Sequence, residues 1–166
     1  MGIQHQYLVI EDNPFEDILM LLEGLCAWVD NALVTTVHKP KVLVHCMQGV
    51  SRSGAVIVAL LMRGCSLDYE SALTLARESR AAIAPNAGFA DQLRLWQKMN
   101  YSISEADGVG LWKTKLQYEE WRRDRGILLT REEEMRHEAM RISMEDMAIT
   151  FGRLRRGNER TSIDDK

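Results

Sequence analysis

The stretch that most limits what this chain can fold into is Lys41–Met62, KVLVHCMQGVSRSGAVIVALLM. Val42, Leu43 and Val44 make a short apolar run of the kind that forms a strand buried on both faces. Ser53–Met62 is apolar nearly all round and too long for a strand in that setting, which predicts a buried helix. Cys46, Met47, Gln48, Gly49, Val50, Ser51 and Arg52 join the two, so the loop opens on a thiol and closes on a guanidinium. Such a loop aims successive backbone N–H groups at one point, and the helix start adds partial positive charge. An anion held there meets the amides, the Arg52 fork and the Cys46 sulfur together. The expectation is a phosphate cradle with a nucleophile at its base. A Cys six residues ahead of an Arg is a weak signal alone; His45, Gly49 and the serines flanking Arg52 narrow it. The alternative is a structural Cys and a surface Arg. It would bury polar residues in a turn without a ligand, at a cost.

The residues HCMQGVSRSG resemble the active-site loop of cysteine-dependent protein phosphatases, and the SRS ending is similar to the dual-specificity branch. Two further stretches carry the resemblance. VIEDNPFEDIL is similar to the family's general-acid loop, with Asp12 where the family carries that acid and Glu11 the neighbour that could be mistaken for it. RAAIAPNAGFADQLRLWQKM, Arg80 to Met99, resembles the segment with Asn-x-Gly-Phe. The family's Asn supports the phosphate loop by hydrogen bonding, a role implied for Asn86, although helix capping alone would also place an Asn there. Leu60 stands where many relatives have Tyr, a change in packing and not in chemistry.

The resemblance covers about Tyr7 to Met99, the second half of a dual-specificity domain. It implies an α/β fold: an incomplete parallel sheet flanked by helices, lacking the amino-terminal part of the domain, then a helical carboxyl-terminal extension. In the family the Cys strand lies between strands partly supplied by that earlier part. Val42–Val44 is therefore expected to lose a neighbour and to expose unpaired backbone groups. A truncated gene model, fold repair by the carboxyl-terminal helices and dimerisation are all open.

A phosphomonoester leaves as a poor alkoxide or phenoxide unless an acid protonates the bridging oxygen, so the nucleophile needs a positioned carboxylic acid. Amides, Arg52 and a helix start around Cys46 favour its thiolate. The expected sequence is attack by Cys46, with Arg52 and the amides of Met47 to Arg52 on the equatorial oxygens and Asp12 donating to the leaving oxygen. Water activated by Asp12 then hydrolyses a phosphocysteine. The resemblance implies that the Ser53 hydroxyl bonds the sulfur and eases its departure; His45 is expected to shape the loop through its own hydrogen bonds. No metal or other cofactor is called for.

Outside these motifs the chain says less. At 166 residues it suits one domain with an appendage, and a net charge of −3 gives no reason to invoke nucleic acid or a membrane surface. There is no uncharged run near the length of a membrane span, and the opening residues, interrupted by Gln4 and His5, do not read as an amino-terminal signal. Three Cys without CxxC indicate neither a disulfide framework nor a zinc site. A nucleophilic thiol needs a reducing compartment, which favours cytosol or nucleus. Residues 1–104 hold 8 Lys+Arg and 10 Asp+Glu, against 13 and 14 in residues 105–166, so a core-forming part gives way to a solvated one. The organisation expected is a partial catalytic domain at 1–101, a linker at 102–110 and a charged helical extension at 111–166.

Tyr7–Ile10 reads as a second buried strand, ending at the turn-like Asp12, Asn13 and Pro14. Ile18, Leu21, Leu22, Leu25, Val29 and Leu33 follow at helical spacing. Arg63-Gly64 reads as the end of the Cys helix, Ser66 as the start of the next and Asn86 as the cap of a third, whose inner face is Phe89, Leu93, Trp96 and Met99. Leu111–Arg125 is amphipathic, Gly126 is expected to break it, and Thr130–Glu133 reads as a capping box opening a helix to about Arg155. Met135, Met140, Met144 and Met147 suit a helix packed back, a solvated face, or a surface for a protein partner or self-association. The basic end at Arg153, Arg155, Arg156 and Arg160 is diluted by Glu159, Asp164 and Asp165.

Three functions fit: a phosphatase on phosphotyrosine and phosphoserine/threonine proteins, the same chemistry on a phosphoinositide or an RNA 5′ end, or a catalytically weak phosphate-binding or interaction module. Met47, Gln48 and Val50 offer no cation for a highly anionic substrate, which argues against the second.

Overall fold

The computed structural model describes residues 3–34 and 40–161. In chain order it forms α1 (Leu19–Leu33), α2 (Arg52–Cys65), α3 (Tyr69–Ser79), α4 (Ala87–Lys98), β1 (Ser104–Ala106), β2 (Trp112–Thr114) and α5 (Leu116–Thr161). The chain divides into two compact units, Met1–Trp121 and Arg122–Lys166.

The core of the first unit follows from the helical spacing of its apolar residues. α1 turns Leu19, Leu22, Cys26 and Val29 to one side, and α4 turns Phe89, Leu93 and Trp96 inward. Between them α2 buries Ala55, Val58, Ala59 and Met62, packing against α1, α3 and α4. Removing a fully buried side chain of Trp96's size would cost about 3–5 kcal/mol. The apolar α2 starts directly at Arg52, so the core holds the end of the loop before it.

Several sequence expectations need correction. Tyr7–Ile10 and Val42–Val44 do not form strands, and the two-stranded antiparallel sheet of β1 and β2 is the sheet formed among the described residues. A strand requires a hydrogen-bonding neighbour, and neither run has one there. Nor are the runs buried on both faces. Leu8, Val42 and Val44 pack over Leu25, Val29 and Val56, whereas Tyr7, Val9 and Leu43 are 85%, 79% and 85% exposed. The burial keeps the period of a strand without the ladder. The chain thus holds an incomplete α/β domain that is rich in helix.

α2 continues past Arg63-Gly64 to Cys65, because the amide of left-handed Ser66 closes on the Met62 carbonyl. Ser66 therefore ends α2, and α3 is capped instead by Asp68, whose carboxylate accepts from Ser71 N at 2.7 Å. Residues 102–110, read as a linker, contain β1 and a turn in which Asp107 accepts from Val109 N and Leu111 N. The first turns of α5 belong to the first unit: Tyr118 is buried and its hydroxyl donates to Asp17 at 2.8 Å.

In the second unit α5 runs unbroken through Gly126. A lone glycine costs a helix only about 1 kcal/mol against alanine, too little to stop one flanked by good helix formers. Thr130 opens no new helix; its hydroxyl donates to the Gly126 carbonyl at 3.1 Å. Met135, Met140, Met144 and Met147 are exposed, and Arg136 with Glu132 and Arg141 with Glu138 pair along the helix. The side chains of Arg153, Arg155, Arg156 and Arg160, and residues Asp164 and Asp165, lie outside those described. No helix among the described residues is long and apolar enough to cross a membrane.

Candidate active site

Cys46 lies at the mouth of the turn into α2, with its sulfur 3.2 Å from Ser53 Oγ and accepting from Gly49 N at 3.2 Å. Burial pushes this thiol up. The Ser53 hydroxyl, together with the amides of Ser53, Gly49 and Val50, outweighs that and lowers it to about 6 from an ordinary 9.0. Cys26 shows the opposite balance, since burial in the core raises its pKa.

The loop turns its carbonyls away from the sulfur. Gln48 O and Gly49 O accept from Arg80, Val50 O accepts from Ala84 N at 3.1 Å, and Ser51 O accepts from Ala55 N at 2.7 Å. Gly49 has φ +68, a conformation that favours glycine. Met47 and Gln48 are exposed and Val50 is half-buried. Arg52 donates through Nη1 to Ile10 O at 3.3 Å, while its Nε is buried with no hydrogen-bond partner among the described residues, a polar group that calls for one. His45 is exposed and its ring makes no hydrogen bond among the described residues.

Asp12 is brought to the same loop. Its Oδ1 accepts from Ser51 Oγ at 2.6 Å and from Asn86 Nδ2 at 2.9 Å. Burial pushes the Asp12 carboxyl up, but these two hydrogen bonds and the charge of Arg52 hold it below the usual carboxylate range. Asn86 does three things at once. Its Oδ1 caps α4 through Phe89 N, its Nδ2 holds Asp12, and its own amide donates to Ser51 Oγ at 3.0 Å. Glu11 is exposed and makes no such contact among the described residues.

Three contributors escape the sequence reading of the site. Arg80 braces the loop from outside. Gly88 lets the acid loop lie against α4: a Cβ there would fall 1.9 Å from Pro14 O. Gln92, 1% exposed, accepts from Ile18 N at 2.9 Å and donates to Glu16 O at 2.7 Å, pinning the exit of the acid loop. All three lie within the Arg80–Met99 segment that resembles the family, so a signal for them existed, but only the Asn-x-Gly-Phe part of it was given a role.

Residues 2–99 match the family description "Dual specificity phosphatase, catalytic domain". The chain is similar to the dual specificity protein phosphatase MPK-4 of Drosophila melanogaster, 41% identical over 98 residues, which are 59% of this chain and 24% of that protein. It is similar to the tyrosine-protein phosphatase yvh1 of Schizosaccharomyces pombe, 38% identical over 103 residues, 62% of this chain and 30% of that one. It thus spans less than a third of the length of these two curated relatives. In three dimensions it resembles the human tyrosine phosphatase-like serine/threonine/tyrosine-interacting protein, with a TM-score of 0.52 and 34% identity over 56% of this chain and 60% of that one. A thiol, a guanidinium and a ring of amides on one loop, an aspartate tied to it, and a family match over more than half the residues lead to one conclusion: this chain belongs to the dual specificity phosphatase catalytic-domain family.

Proposed function

We propose that this chain hydrolyses phosphomonoesters on phosphotyrosine and phosphoserine/threonine proteins through a phosphocysteine on Cys46. The observation that carries the proposal is the Cys46 sulfur 3.2 Å from both Gly49 N and Ser53 Oγ, on the loop that ends at Arg52; these contacts favour the thiolate. The thiolate attacks phosphorus, an S–P bond forms, and the P–O bond to the leaving group breaks. Asp12 protonates the departing oxygen. Arg52 and the loop amides bind the equatorial oxygens most strongly in the transition state. Asp12, now ionised, takes a proton from water, which attacks phosphorus and frees inorganic phosphate and the Cys46 thiolate, eased by the Ser53 hydroxyl.

Asp12 must be protonated for the first half of the cycle, yet Ser51 and Asn86 favour its ionised form. That supports a second reading, a module that binds phosphate and turns it over weakly. The test is the chain itself with p-nitrophenyl phosphate, a phosphotyrosine peptide, a phosphothreonine peptide and a phosphoinositide. Turnover of both peptides above the lipid supports the leading reading. Saturable phosphate binding without turnover of any substrate replaces it with the second, and preference for the lipid moves the substrate class.

A further inference from the structure

We propose that Arg80 is a positioning residue for the nucleophile: from outside the loop it aims two of the peptide N–H groups, those of Gly49 and Val50, toward the Cys46 side. The inference rests on the thiolate reading above and deepens it. Arg80 Nη2 donates to Gln48 O at 3.2 Å and Nε to Gly49 O at 3.0 Å, so one guanidinium serves two consecutive carbonyls. A trans peptide points its C=O and N–H in opposite directions. Fixing Gln48 O outward therefore turns Gly49 N–H inward, where it meets the sulfur at 3.2 Å; fixing Gly49 O turns the Val50 amide to the same side, where it helps to lower the pKa of the thiol. The positive charge on the carbonyl side polarises each peptide further in the direction that favours a thiolate.

The surroundings are built for this contact. Glycine at 49 leaves room for the guanidinium to lie against the backbone, since a Cβ would stand 3.3 Å from Arg80 Nη2. Arg80 itself is anchored where α3 ends, its amide on Ala76 O and its carbonyl taking Ile83 N, each at 3.1 Å. Of the other ionisable groups at the loop, Arg52 bonds Ile10 O, Asp12 bonds Ser51, and His45 precedes Cys46 in the chain. Among the described residues, Arg80 is the charged side chain bonded to the Gln48 and Gly49 carbonyls. A lysine, with a single point of attachment, cannot reproduce the fork.

The test is the pH dependence of Cys46 alkylation by iodoacetamide, read by peptide mass spectrometry, beside a thermal melt of each variant. The wild-type midpoint is expected near 6. Arg80→Met should raise it by about one unit, a roughly tenfold loss of thiolate below the midpoint. Arg80→Lys should fall between the two. Arg77→Met removes an equal charge from α3 whose Nε bonds Ile83 O and not the loop, and should leave the midpoint in place. A low wild-type midpoint that Arg80→Met does not move, or that Arg77→Met moves equally, overturns the inference alone. A wild-type midpoint near that of an ordinary thiol overturns the thiolate reading and this inference with it. If Arg80→Met fails to fold, Arg80→Lys decides: an intermediate midpoint supports the proposal, and a wild-type midpoint overturns it.

Discussion

The Cys46–Arg52 loop and the apolar runs Tyr7–Ile10 and Val42–Val44 meet at the site but are held in opposite ways. Every carbonyl from Gln48 to Ser51 has a donor, and those donors come from the end of α3, the segment after it and the first turn of α2. In Tyr7–Ile10 and Val42–Val44, by contrast, Ile10 O takes Arg52 Nη1, and no backbone ladder forms among the described residues. The constellation is therefore assembled by side chains and short loops hung on a helical core. The runs expected to form a sheet behind it contribute apolar contacts of Leu8, Val42 and Val44 with α1 and α2 instead. The geometry of the candidate site and the completeness of the sheet are separable properties here.

That contrast can be broken or sharpened experimentally. The largest effect should come from Cys46→Ser, which is expected to abolish p-nitrophenyl phosphate turnover while calorimetry still detects phosphate binding. Residual turnover near wild type would show that the loop is not the reacting centre. Asp12→Ala should slow phenyl phosphate hydrolysis by about 10²–10⁴-fold and p-nitrophenyl phosphate far less. Equal losses would remove Asp12 from the acid role. Because the Asp12 pKa is lowered, its protonated fraction grows as pH falls, whereas the Cys46 thiolate is lost below about 6. The optimum for poor leaving groups should accordingly lie at lower pH than that for p-nitrophenyl phosphate.

Gly88→Ala drives a methyl into Pro14 O and should cost about 1–3 kcal/mol, read as a lower melting temperature together with weaker use of poor leaving groups. A smaller effect is expected from linkage. The folded Cys46 pKa, about 6, lies below the ordinary 9.0, so the stability it contributes is complete above 9.0 and is lost as pH falls through about 6. The melting-temperature difference between wild type and Cys46→Ser should widen as pH rises across that window. The smallest change belongs to the other side of the comparison. Leu43→Thr, on an exposed position, should alter stability by no more than about 0.5 kcal/mol and leave turnover intact. A large loss would mean that the outer face of Val42–Val44 is covered when the protein works.

Much of the site was legible because it is local. Cys46, Ser53 and Arg52 fall within eight consecutive residues, and the strand-like run, glycine and buried helix around them have distinct sequence patterns. The resemblance added Asp12 and Asn86, which no local pattern connects. Arg80 opens the segment that resembles the family, but its bracing role is not legible there, because its partners are backbone carbonyls, which leave no trace in sequence. The strands were misjudged for a related reason. An apolar, β-branched run reports a wish for burial, but pairing depends on a second segment that the run does not encode. Gly126 and Thr130 misled because single-residue punctuation weighs less than the helix formers on either side.

Gln92 has a consequence in time. It clamps Glu16 and Ile18 across 76 and 74 residues, so the exit of the acid loop can be set only after α4 has been synthesised and packed. Contacts of that separation close late, since the chain between them must first be ordered. As the ribosome delivers the chain, the Asp12 loop emerges early but meets its Gln92 clamp only once α4 is made.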